Sequence, residues 1–121
     1  PMSHGQARAL RRAYENAGIS PRTVELVEAH GTGTKVGDVV EFEGLKTVYG
    51  EASPDRAWCA MGSVKSQIGH TKAAAGSAGL IKAALALHYK VFPPTINITR
   101  PNPKLGIEDS AFYLNTVCRP W

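Results

Sequence analysis

The stretch Met61-Gly62-Ser63-Val64-Lys65-Ser66-Gln67-Ile68-Gly69-His70-Thr71-Lys72-Ala73-Ala74-Ala75-Gly76 constrains this chain most. Apolar Trp58, Ala60 and Met61 lead into it, and an Ala/Gly/Leu segment from Ala73 to Leu87 follows. The pattern predicts a strand end, a polar loop and a long small-residue helix. Polar side chains held between two apolar elements stand where loops on rigid scaffolds carry chemistry. The plain alternative is an ordinary strand-to-helix connection with Thr71 as a helix cap.

The remaining pattern repeats this alternation. Ala7, Leu10, Ala13, Tyr14 and Ala17 recur at helical spacing over Ser3 to Ala17, and Gly18 follows as a stop. Ser20-Pro21 opens a turn. Val24 to Ala29 is nearly continuous in apolar character, as in an internal strand. A Gly/Thr loop, His30 to Asp38, comes directly off it. Asp38 and Glu41 have the spacing of a capping box for a helix running to about Tyr49, with Gly50 as its C-terminal stop. Trp58 to Val64 is a second strand, and Ala73 to Lys90 a second long helix. That helix is bare enough at Gly76 and Gly79 to be buried against another backbone. Thr95 to Ile98 is short and extended after Pro93-Pro94, and Phe112 to Val117 alternates as a final strand. The sum is an α/β layer pattern.

In such sheets ligands gather at the carboxyl ends of the strands. His30 follows the first strand, and Lys65 and His70 follow the second, so all three are expected on one edge. Two imidazoles there could donate to a developing oxyanion or handle protons, with a lysine biasing their protonation. Each could instead be a satisfied polar residue at a strand end. His4 and His88 have no such setting and read as surface residues. Gly31 and Gly33 could offer backbone N–H groups to a phosphate. The loop lacks the Gly-Lys-Ser/Thr ending of a P-loop and the dinucleotide spacing. Thr32 and Thr34 read better as hydroxyl partners of a polar ligand arm. His30, His70 and Asp38 lack metal-ligand spacing, so no metal is expected.

Composition narrows the partners. The 121 residues make one domain or part of one, with 43% apolar residues. The net charge is +4, with 14 basic and 10 acidic residues. That balance weakly favours an acidic partner. Basic residues do not interleave with aromatics in a stripe, which argues against nucleic acid. No apolar run is long enough to span a bilayer, and no signal-peptide pattern is visible. Cys59 and Cys118 form no framework, read as buried strand residues, and suit a reducing cytoplasm.

Val27-Glu28-Ala29-His30-Gly31-Thr32-Gly33-Thr34, with Gly37-Asp38 and Glu41, resembles the first histidine motif of β-ketoacyl synthases. Gly62-Ser63-Val64-Lys65-Ser66-Gln67-Ile68-Gly69-His70-Thr71 resembles their second, with the two histidines 40 positions apart. Pro93-Pro94-Thr95-Ile96-Asn97 and Arg119-Pro120-Trp121 fit the same family. The nearest likeness is to the ketosynthase domains of polyketide synthases and polyunsaturated fatty acid synthases. The resemblance implies a thiolase-like fold of which residues 1–121 form the C-terminal half, helices packed on a mixed sheet, within a larger multidomain protein. It implies that His30 and His70 support decarboxylation of a malonyl thioester, with Lys65 as the supporting lysine. Thr32 and Thr34 match threonines that contact the phosphopantetheine arm of an acyl carrier protein, so no cofactor is bound directly. The implied partners are that carrier protein, the N-terminal half, and a second copy in a homodimer, with no nucleic acid and no membrane.

Two departures matter. The family's nucleophilic cysteine belongs to the N-terminal half, and neither Cys59 nor Cys118 stands in its motif, so the chain alone is expected to be inactive. Some members carry an acidic residue nine positions after the second histidine. Here that residue is Gly79, so no glutamate partner for Lys65 carries over. The alternative reading is a non-catalytic ketosynthase-like partner that shapes a pocket or docks carrier protein. A nucleotide-binding module is a third.

Overall fold

The computed structural model describes residues 2–121. Its principal elements are α1 (Ser3–Ala17), β1 (Leu26–Glu28), α2 (Gly37–Ala52), β2 (Cys59–Gly62), α3 (Lys65–Ile68), α4 (Ala75–Tyr89), β3 (Val91–Phe92), β4 (Phe112–Leu114) and β5 (Arg119–Pro120). The α/β expectation holds. The strand directions divide between two sheets: β1-β2-β4 is parallel throughout, and β3 pairs antiparallel with β5. β2 is central and every one of its residues is buried, which is why Cys-Ala-Met-Gly carries no charge and little bulk.

The core lies between this sheet and α2. Phe42, Leu45, Val48 and Tyr49 of α2 meet Cys59, Met61 and Phe112. Tyr49 and Phe112 tilt against each other with centroids 4.7 Å apart. Full burial of each such side chain contributes about 1.5–3 kcal/mol. The Tyr49 hydroxyl is bonded to that of Tyr14 at 2.6 Å, which docks α1. Burial pushes the Tyr49 phenol well above its ordinary range, so it stays protonated in this bond. At Gly44 the two helices meet closely: a Cβ there would lie 3.2 Å from the Ser3 carbonyl oxygen.

Several boundaries differ from expectation. α2 passes through Gly50 and ends at Ala52. Arg11 reaches from α1 to make two bonds to the Glu51 carboxylate, which favours keeping that last turn helical. Strands β1 and β4 are shorter than their apolar runs, and Trp58 lies outside β2, stacked on Tyr49. Asn115 ends β4 by donating to the carbonyls of Phe92, Pro93 and Val117. Thr95 to Ile98 forms no strand; β3 precedes it. Cys118 is exposed rather than buried, because it falls in the irregular segment between β4 and β5.

The bare helix departs furthest. A short 3-10 turn, Lys72–Ala74, precedes α4, and Thr71 makes no side-chain cap. Among α4 residues only Ala86 is fully buried. Ala78, Gly79, Lys82 and Ala83 face the chain, while Leu80 and Leu87 are 71% and 63% exposed. Gly76 meets nothing that a side chain would strike, whereas a Cβ at Gly79 would lie 3.2 Å from Glu28 Cγ. The composition of this helix predicts burial, but the chain covers one face only. Among the described residues no helix is long and apolar enough to cross a membrane.

An apolar stripe of this kind drives association. The chain on its own is therefore expected to self-associate in sedimentation velocity, and Leu80→Gln with Leu87→Gln to weaken that association. Monomeric sedimentation of the parent chain at high concentration would contradict this.

Candidate active site

Parallel pairing of β1 with β2 sets Glu28 opposite Gly62. The chain therefore leaves both strands at the same edge, into the His30 loop and, in place of the expected polar loop, into the one-turn helix α3 that begins at Lys65. The His30 loop turns sharply at Gly31, whose φ of +47° suits glycine. A Cβ at Gly31 would also lie 2.8 Å from Ser63 Cβ, so the two loops touch only because glycine stands there.

Two carboxylates fix the turn. Backbone N–H groups of His30 and Gly31 donate to Glu41 at 2.7 and 3.0 Å. The Gly33 N–H donates to Asp38 at 3.1 Å. The capping box read from Asp38 and Glu41 is thus not formed, and Val36 precedes α2 without a side-chain cap. The acids serve the loop before the helix instead of the helix end. This also weakens the phosphate-cradle reading, because the exposed N–H donors are already bonded to negative charge. Thr34 Oγ1 accepts from the Gly37 N–H and lies 3.2 Å from Thr32 Oγ1.

His70 comes to His30 from the other loop. Their rings meet edge-on, with centroids 5.6 Å apart and planes at 90°. The Lys72 N–H donates to His70 Nδ1 at 3.0 Å. A neutral His70 must then carry its proton on Nε2, the tautomer that leaves Nε2–H as a donor. Partial desolvation, then the positive charges of Lys65 and Lys72 and the nearby His30 ring, hold His70 below the usual imidazole range.

Beside the pair opens a cavity of about 690 Å3, lined in part by Thr32, Ser63, Lys65, His70 and Asn97. Of the residues singled out from sequence, Thr32, Lys65 and His70 line it, whereas His30 and Thr34 stand outside its lining. Lys65 makes no ion pair among the described residues. Thr95, Ile96 and Asn97 of the Pro-Pro-Thr-Ile-Asn segment wall the cavity. Gln67 donates to the Pro94 carbonyl at 3.1 Å and Asn97 to the Ser66 carbonyl at 2.8 Å. Asn97 holds a left-handed φ of +63° to do so. Sequence reasoning gave no role to Asn97 and read Glu41 only as part of a capping box, although both stand within the motifs it quoted. Cys59 is buried, with its thiol pushed up to about 12 by desolvation and then by Glu25, so it is inert near neutral pH.

Removal of a cation favours the protonated imidazole. Lys65→Ala should therefore raise the His70 titration midpoint, followed by NMR of the ring protons against pH. An unchanged or lowered midpoint would show that Lys65 does not hold the ring neutral.

Comparisons with known proteins identify the family of the chain. The family model described as "Beta-ketoacyl synthase, C-terminal domain" matches residues 1–99. The chain is 47% identical over its whole length to polyketide synthase PksL of Bacillus subtilis, of which it covers 3%. It is 49% identical over 129 aligned positions to a polyunsaturated fatty acid synthase of Thraustochytrium sp., covering 4%. It is similar to the solved ketosynthase from module 6 of the bacillaene synthase of Bacillus subtilis, with a TM-score of 0.97 and 47% identity, over 100% of this chain and 22% of that one. The ketosynthase from module 1 of the bacillaene synthase of Bacillus amyloliquefaciens matches with a TM-score of 0.97, 41% identity and the same coverage. The chain thus spans a small part of the curated relatives and about a fifth of the solved ketosynthases. With the helices and parallel sheet, these matches give the fold as thiolase-like, and the chain belongs to the β-ketoacyl synthase C-terminal domain family.

Proposed function

We propose that residues 1–121 are the C-terminal subdomain of a ketosynthase, and that His30 and His70 stabilise the enolate formed when a malonyl thioester loses carbon dioxide. The meeting of the two imidazoles, with Nδ1 of His70 occupied by a backbone N–H, carries this reading. In decarboxylation the bond from the malonyl carbon to its carboxylate breaks and carbon dioxide leaves. The electron pair stays on the substrate as an enolate, with negative charge on the thioester oxygen. Two imidazole N–H donors aimed at that oxygen favour the charge where it develops. Partial desolvation and then Lys65 favour the neutral His70 ring, which donates a hydrogen bond without holding a second proton.

The enolate carbon then attacks an acyl thioester on a cysteine from the N-terminal half, and the cysteine thiolate leaves as the new carbon–carbon bond closes. Neither cysteine of this chain takes that part, and the chain alone is inactive. Thr32 and Thr34 offer hydroxyls to the phosphopantetheine arm that an acyl carrier protein brings. The intact enzyme is an acyltransferase of fatty acid or polyketide biosynthesis, a homodimer working in the cytoplasm with that carrier protein. Its N-terminal half covers the apolar face of α4.

Loss of one preorganised donor typically costs on the order of 10²–10³ in rate. His30→Ala and His70→Ala in the intact synthase should each slow carbon dioxide release from malonyl carrier protein by about that factor. Acyl loading of the cysteine, assayed separately, should suffer less. Release at the parent rate by the His70→Ala protein would remove that residue from the reaction, and a defect confined to loading would make it the cysteine's activating partner.

A further inference from the structure

Glu28 closes β1 two residues before His30, and its carboxylate faces the elements that carry the rest of the site. Oε1 accepts the backbone N–H of Val64, at the head of the loop to Lys65. Oε2 lies 2.8 Å from Nζ of Lys82, on the helix that follows His70. The two side chains are only 15% and 10% exposed. Glycines clear the space. Gly79 on α4 abuts Glu28 Cγ, and the vacant Cβ position of Gly62 lies 3.6 Å from the Lys82 ammonium.

A buried ion pair adds little net stability, because desolvation of both charges offsets their attraction. What it fixes is geometry, through a carboxylate held by a backbone donor on one side and an ammonium on the other. α4 buries only Ala86 fully, and among the described residues this pair is its one charged tie to the sheet. The pair joins the strand end before His30, the loop before Lys65 and the helix after His70.

We infer that the Glu28–Lys82 ion pair is a positioning device that sets the separation of the two histidines. The inference rests on the proposed role of those histidines. The pair touches no reacting atom. It acts by holding two separately folded loops at a distance that lets both donors reach one oxygen. Misplacement of a reacting group by about 1 Å can cost on the order of 10²-fold in rate.

The test uses the intact synthase. Glu28→Gln combined with Lys82→Met removes both charges together and leaves no stranded ion, so the melting temperature should stay near the parent's. Decarboxylation kcat should fall on the order of 10²-fold, with KM for malonyl carrier protein and the rate of acyl loading unchanged. If the double variant melts well below the parent, Glu28→Asp decides. It keeps the charge but draws the carboxylate back by one methylene, and the same selective loss of kcat is expected. A parent kcat in the folded variant, or a loss shared equally by loading and decarboxylation, overturns the inference. His70→Ala is the control. Should it decarboxylate at the parent rate, the role of the histidines fails. A large loss there beside a parent-like double variant refutes only the positioning role.

Discussion

Because β1 and β2 run parallel with Glu28 opposite Gly62, two strand ends 34 positions apart in the chain emerge side by side. Everything at the site depends on that pairing. Parallel strands require a crossover, and α2 supplies it while packing the aromatic core of Phe42, Tyr49 and Phe112 beneath the sheet. The same helix contributes Glu41, which bonds the N–H groups of His30 and Gly31. One element thus covers the core and aims the first histidine, so stability and site geometry are coupled through α2.

The acids near the site are engaged with backbone N–H groups, Asp38 and Glu41 from within the cavity lining that they share with Lys65 and His70. Glu41 and Asp38 hold the His30 loop, and Glu28 holds the start of the Lys65 loop. Partial desolvation, then Lys65, Lys72 and the His30 ring, disfavour protonation of His70. On the proposed reading a developing anion meets Lys65 and His70 in the cavity, while the Asp38 and Glu41 carboxylates that also line it are already bonded to backbone N–H groups.

The site is largely legible from the chain because it is built from two local motifs at strand ends, where alternation of apolar and polar residues is informative. His30, Lys65 and His70 need only the α/β pattern to be placed on one edge. The roles of Glu41 and Asp38 are not legible, since the same spacing serves a capping box, and only the tertiary turn at Gly31 decides which N–H groups the acids meet. α4 misleads for a different reason. Small residues allow close packing without requiring it, and the chain supplies a neighbour for only one face. Cys118 is misplaced from sequence because alternation through Val117 does not reveal that Asn115 bonds three carbonyls and ends the strand. The tie from Glu28 to Lys82 spans elements far apart in sequence and leaves only Gly79 as a local trace.

The proposed chemistry requires His70 to present a proton on Nε2 toward the substrate oxygen. The direct measurement is nitrogen NMR of selectively labelled histidine in the intact ketosynthase, near neutral pH. A neutral ring is expected, with its proton on Nε2 and an unprotonated Nδ1 that accepts the Lys72 N–H. A proton on Nδ1, or a doubly protonated ring, would contradict it.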